Sequence, residues 1–110
     1  MESILTSIKK LLGILEEYEA FDEDLIININ SVFVILNQIG VGSPEIFSIT
    51  SKDDTWNQFT KDNKFNELVK SYVHMRVKLM FDPPQSSSAV ESTKKLIDEM
   101  EWRLYVESGK

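Results

Sequence analysis

Val77-Lys78-Leu79-Met80-Phe81-Asp82-Pro83-Pro84-Gln85-Ser86-Ser87-Ser88 is the stretch on which the fold turns. Proline cannot continue a helix and biases the residue before it away from helical geometry. Asp82-Pro83-Pro84 therefore stops the apolar helix that precedes it. Ser88-Ala89-Val90-Glu91 then matches the capping-box pattern, in which a hydroxyl and a carboxylate close the first free amides of a new helix. The passage reads as two helices joined by a tight joint, the second of which closes the chain.

Upstream of the joint, periodicity predicts a helix from about Lys64 to Phe81. Its apolar residues (Phe65, Leu68, Val69, Tyr72, Val73, Met75, Val77, Leu79 and Met80) cover about 200° of the helical wheel, as a central helix requires. Arg76 projects from the middle of that arc. An unpaired buried charge is costly, so Arg76 needs a carboxylate. Downstream, the helix over about 88–107 carries Ala89, Val90, Thr93, Leu96, Ile97, Met100 and Leu104 on one face. Glu101 flanks that face and is the expected ion-pair partner of Arg76. Trp102, Tyr105 and Val106 lie on the other side, among Lys95, Asp98 and Glu99.

Toward the N-terminus, a helix is expected from about Asp24 to Ile39. Leu25, Ile26, Ile29, Val32, Phe33, Leu36 and Ile39 form its core face. Ile27, Val34 and Ile35 lie outside that face and make a second apolar strip, which one amphipathic helix on a monomer surface would not need. A strand over Leu25–Leu36 is the competing reading, since Ile and Val dominate; its length and lack of alternation disfavour it. Gly40-Val41-Gly42-Ser43-Pro44 ends the helix. A first helix over about Ser3–Leu12 places Ile4, Ile8, Leu11 and Leu12 inward and Lys9 and Lys10 toward water, with Gly13 as the stop. Between the second and third helices, Ile46-Phe47-Ser48-Ile49-Thr50 alternates and reads as a short strand or an extended packed loop. Trp56 and Phe59 then pin this excursion to the bundle. The expected fold is a small all-α bundle of about four helices with that irregular excursion, where short strands are an option, in a single domain over 1–110.

The 110 residues are 42% hydrophobic and 27% charged, an ordinary globular composition. The net charge of −6 disfavours a duplex-gripping surface, which needs to be basic. No apolar run is long enough to span a bilayer, and the first residues lack a signal-peptide layout, so a protein made in the cytoplasm is expected. With no cysteine there is neither a disulfide framework nor a thiolate metal site. His74 is the sole histidine and falls on the polar side of its helix with Lys70 and Lys78, so nucleophilic and transition-metal chemistry lack their usual base and ligand. Gly40-Val41-Gly42 is too short for a phosphate loop. Glu99 and Glu101 diverge on a helix and make poor acid–base partners. Glu16 to Asp24 holds six acids in nine residues. Its spacing matches no calcium loop, and it reads as solvated charge running into the positive end of the next helix. No catalytic residue, metal or cofactor is expected.

The features left over concern association. Trp102 and Tyr105 on an otherwise polar helix face are residue types that anchor interfaces, and Ile27, Val34 and Ile35 add a second strip. Two readings stand open: contact with another chain, or packing of the aromatics onto the Ile46–Phe59 excursion of the same chain.

Phe33 through Gly42 (Phe-Val-Ile-Leu-Asn-Gln-Ile-Gly-Val-Gly), Val77 through Ser88, and Glu99-Met100-Glu101-Trp102-Arg103-Leu104 resemble the head–tail connector, or adaptor, proteins of tailed phages, as does the order of elements. The likeness covers nearly the whole chain. It implies a non-enzymatic virion protein of the neck, assembled in the host cytoplasm, that forms a homo-oligomeric ring, a dodecamer matching the portal. The ring would link the DNA-filled head to a stopper or tail-completion protein. DNA would pass through it without sequence-specific binding, and Glu16 to Asp24 is one candidate for the lumen. The resemblance also implies that the C-terminal segment engages the portal, with Trp102, Arg103 and Tyr105 near the contact. The alternative is a small regulatory helical binding module, antitoxin- or anti-repressor-like, using the same apolar strips to hold one partner. An acidic enzyme subunit depending on His74 is a remote third.

Overall fold

In the computed structural model, which describes residues 2–108, three of the helices end where glycine or proline stops them. Helix α1 (Ile4–Leu11) starts at Ser3, whose Oγ accepts from the Thr6 amide at 3.2 Å. Helix α2 (Asp22–Gln38) closes in a Schellman turn. The Val41 amide donates to the Leu36 carbonyl at 2.9 Å and the Gly40 amide to Asn37 at 3.1 Å, with Gly40 at φ 84°. That left-handed backbone is strain-free only without a Cβ. Helix α3 (Trp56–Phe59) is a single turn. Helix α4 (Asn63–Phe81) is capped by Asp62, which accepts from the Lys64 and Phe65 amides. Helix α5 (Ser87–Glu107) follows the Asp82-Pro83-Pro84 joint.

The fold is all-α, and α4 is its hub, touching all four other helices. Val69, Tyr72, Val73 and Val77 of α4 are buried against Ile4, Leu5 and Ile8 of α1 and against Leu25, Ile29, Val32, Phe33 and Leu36 of α2 in one core. Helix α5 runs back along α4, so that Glu107 and Ser108 share a cleft with Asp62 and Phe65 at the start of α4. Only Ile97 and Leu104 of α5 are buried, with Met100 partly so. The last helix is thus attached by a narrow seam.

The excursion forms no strand; the described residues contain only one isolated bridge, between Ser3 and Thr55. The alternating Ile46–Thr50 segment is an extended loop. Within it Ile49 is fully packed, and the Asn30 side chain supplies the pairing a strand would have given. Asn30 Nδ2 donates to the Ile49 carbonyl at 2.9 Å, and the Ile49 amide donates to Asn30 Oδ1 at 2.7 Å. Trp56 is buried and donates from Nε1 to Ser7 Oγ at 2.8 Å. Phe33 meets Phe47 and Phe59 at ring-centroid distances of 4.9 and 5.1 Å, so the excursion is pinned to α2 by aromatic packing. Gly42, at φ 92°, lets Phe59 approach where a Cβ would sit 3.0 Å from the ring.

Several expectations need correction. Lys9 does not face water: it is 2% exposed. Its Nζ donates to the carbonyls of Glu16 at 2.8 Å and Tyr18 at 2.7 Å. It also lies 2.9 Å from Asp22 Oδ1, an ionic contact without hydrogen-bond alignment. The acid-rich segment is therefore tethered from beneath by a buried cation. The Ser88–Glu91 capping box is not used. Helix α5 begins earlier, with Ser86 Oγ accepting from the Ala89 amide at 3.1 Å. Leu11, Met80 and Leu96, assigned to core faces, are exposed, because the real seams are narrower than the apolar arcs on the wheel. His74 is half-buried rather than solvent-facing.

Candidate functional site

A helix held by a narrow seam leaves a wide outer face, and on α5 that face carries apolar side chains among its charges. Trp102 is 66% exposed, and Leu96, Tyr105 and Val106 are exposed with it. The Trp102 and Tyr105 rings stack, with centroids 6.4 Å apart and planes inclined by 27°. Being three residues apart on a helix, they share one face. Arg103 beside them is tied within α5 to Glu99 at 2.6 Å, so its charge is already paired.

Trp102 and Val106 also form one wall of an open groove of about 690 Å³ whose other wall is Phe65 and Leu68 of α4, with Lys64 and Glu67 at its edge. The aromatics do not fold onto the excursion, which is occupied with Phe33. Trp102 is therefore not packed on the excursion, and the groove beside it is open.

A polar cluster ties α5 to α4 about a quarter-turn around the helix from Trp102. Tyr72 is fully buried, yet its hydroxyl donates to Glu101 Oε2 at 2.7 Å and accepts from Arg76 Nε at 2.5 Å. Arg76 Nη2 pairs with the same Glu101 oxygen. The Arg76 guanidinium also lies over the Tyr72 ring, 5.4 Å from its centroid. Burial pushes the Glu101 carboxyl up, but hydrogen bonds from Tyr72 and Arg76 and the Arg76 charge outweigh it and hold the group below its ordinary value. The Tyr72 hydroxyl is raised well above the ordinary phenol, first by burial and then by its bond to Glu101.

On α2, Ile27 is 63% exposed and Val34 is exposed too, while Ile35 is half-buried. The second strip is therefore shorter than its sequence pattern. Sequence reasoning missed a third patch. Leu15, Tyr18 and Phe21 are exposed within the tethered acidic segment, and Phe21 packs edge-on against Phe81 at 5.2 Å. The available signal was Lys9 itself, four residues after the buried Leu5 and so on its face of α1.

Among the described residues no group of three or more His, Asp or Glu side chains could hold a metal ion, and no helix is long and apolar enough to cross a membrane. His74 stands apart from the groove, its proton affinity lowered first by burial and then by Lys78, against a hydrogen bond with the Leu11 backbone.

A family model described as phage connector protein matches residues 4–110. No curated protein and no solved structure matches the chain. The chain belongs to the phage connector protein family.

Proposed function

We propose that this phage connector protein is a structural ring component of the neck, seated below the portal and joining the DNA-filled head to a stopper or tail-completion protein. The ring is homo-oligomeric and twelve-fold, in step with the portal. DNA passes through it without being read. An acidic chain suits that task, because a basic lumen would hold the phosphate backbone rather than let it slide. No step of the role needs a nucleophile, a metal or a cofactor.

The observation that carries the reading, beyond family membership, is the exposed Trp102–Tyr105 stack. A tryptophan two-thirds in water beside an apolar groove is what an interface looks like before its partner arrives. Trp102, Tyr105 and the neighbouring Arg103 are assigned to the contact with the portal or the next subunit. Ile27, Val34 and Ile35 on α2 are assigned to the second side of the subunit. Ring closure requires two different surfaces to meet, and the α5 and α2 strips are assigned to that pair.

Mass photometry of the purified chain, alone and with its portal, tests the proposal. Rings, or complexes that form only with the portal and weaken in Trp102→Ala, are expected. A chain that stays monomeric and ignores the portal overturns it. A one-to-one complex with an unrelated protein would favour the regulatory-module alternative.

A further inference from the structure

We propose that Glu101 is a register pin: its contacts with Tyr72 and Arg76 select one height and rotation of α5 on α4, and thereby decide that Trp102 and Tyr105 face outward. Among the described residues, every hydrogen bond and ion pair between α5 and another helix ends on Glu101; the others leaving α5 are to its own caps, Ser86 and Ser108. The remaining polar contacts of the helix, such as Arg103 to Glu99 and Thr93 to Ala89, stay within it. All other attachment is apolar.

That apolar seam does not choose a register by itself. Thr93, Ile97, Met100 and Leu104 recur at four, three and four residues, the spacing of a narrow coiled-coil stripe. Sliding such a stripe by a turn sets one aliphatic side chain where another was, and methionine adapts to either place. Of the four, only Ile97 and Leu104 are buried. The joint at Pro83-Pro84 does not choose either, since Pro83 and residues 85 to 88 lie exposed on the surface.

Glu101 breaks the degeneracy because its site is specific. Tyr72 is fully buried in the core, and its hydroxyl needs an acceptor. Arg76, one turn further along α4, presents Nε to that hydroxyl and Nη2 to Glu101, so two donors converge on one carboxylate oxygen. Moving α5 by one turn, about 5 Å, would leave the buried hydroxyl and the guanidinium facing Ile97 or Tyr105 instead. Polar groups of this kind contribute little net stability compared with an apolar replacement; their best-attested effect is to fix register. The consequence is local: Trp102 follows Glu101 directly, so the pin sets where the exposed face points.

The chain has no cysteine, so Ser71→Cys and Lys95→Cys, both at exposed positions, introduce one spin-label pair across the seam. Pulsed dipolar spectroscopy, on labelled chain diluted with unlabelled chain, reads the α4–α5 distance independently of any ring. The apolar triple variant Tyr72→Phe, Arg76→Met, Glu101→Leu is expected to keep its helical circular dichroism and lose the single sharp distance, which broadens or gains a second population. Glu101→Gln keeps an acceptor at the same reach and is expected to hold the native distance. Should the triple variant fail to fold, the same distance is read in Glu101→Ala, where the apolar seam is intact. A sharp native distance in the folded triple variant, or in Glu101→Ala, overturns the proposal.

Discussion

Tyr72 and Glu101 meet across the seam between α4 and α5, the buried hydroxyl donating to the carboxylate at 2.7 Å. Arg76 closes the triangle by binding both. A core tyrosine is thereby tied to the helix that carries the exposed Trp102.

The two ends of that cluster are not equivalent. Glu101→Ala leaves the fully buried Tyr72 hydroxyl without its acceptor and the Arg76 guanidinium without its counter-charge. A loss of about 2–3 kcal/mol is expected. Arg76→Met keeps the hydroxyl bond and fills the space with an apolar stem, so about 1 kcal/mol or less is expected. Urea unfolding of the two variants checks the order, which is the firm part of the prediction.

Acid should weaken the fold in two stages. The imidazole of His74 is held below its ordinary 6.5, mainly by burial, so its contribution is complete above that value and is lost as pH falls through the lower folded value. Glu101 is held below its ordinary 4.5, so its contribution is complete above 4.5 and is lost further into acid. Thermal midpoints measured from pH 8 to pH 3 should show His74→Gln flattening the upper stage and Glu101→Gln the lower. A native profile in both variants would sink this assignment.

Lys9 should be among the most sensitive positions in the chain. Lys9→Met removes the donor for the Glu16 and Tyr18 carbonyls and the cation beside Asp22. A loss of about 2–4 kcal/mol is expected, with faster amide exchange confined at first to residues 14–22. Lys10→Met, one residue on and exposed, should be within about 0.5 kcal/mol of the native chain.

Asn30 carries a pairing that would otherwise need a strand. Asn30→Ala strands both backbone groups of Ile49, and a cost of about 2 kcal/mol is expected. Asn30→Asp keeps the acceptor for the Ile49 amide and loses only the donor. Hydrogen exchange at the Ile49 amide should therefore accelerate in the first variant and much less in the second.

The two tryptophans should report separately. Trp56 is 4% exposed and bonded to Ser7, whereas Trp102 is 66% exposed. Acrylamide should quench one emission component strongly, and Trp102→Phe should remove that component alone. If the ring is built through α5, the same component becomes protected on assembly. Persistent quenching in the assembled ring would place the interface elsewhere.

What the sequence determined by itself was whatever a few neighbouring residues decide. Gly13 and Gly40 end helices, Asp82-Pro83-Pro84 breaks one, and 3.6-residue periodicity marks α2 and α4, because backbone sterics and helical spacing are local. Trp102 and Tyr105 were legible as candidates since they violate the polar side of their own helix. Apart from the Arg76–Glu101 pair, which the unpaired arginine in an apolar arc announced, tertiary structure decided what needed a distant partner or a measured width. A helical wheel reports which residues share a face but not how wide the contact is, so Leu11, Met80 and Leu96 looked inward and lie outside. Lys9 looked solvated because its ligands are carbonyls seven and nine residues away, and a carbonyl has no letter in a sequence. Asn30 was silent for the same reason, its partner being the backbone of Ile49. The outward direction of Trp102 likewise depends on Tyr72 and Arg76, two side chains from another helix, meeting Glu101 at one oxygen.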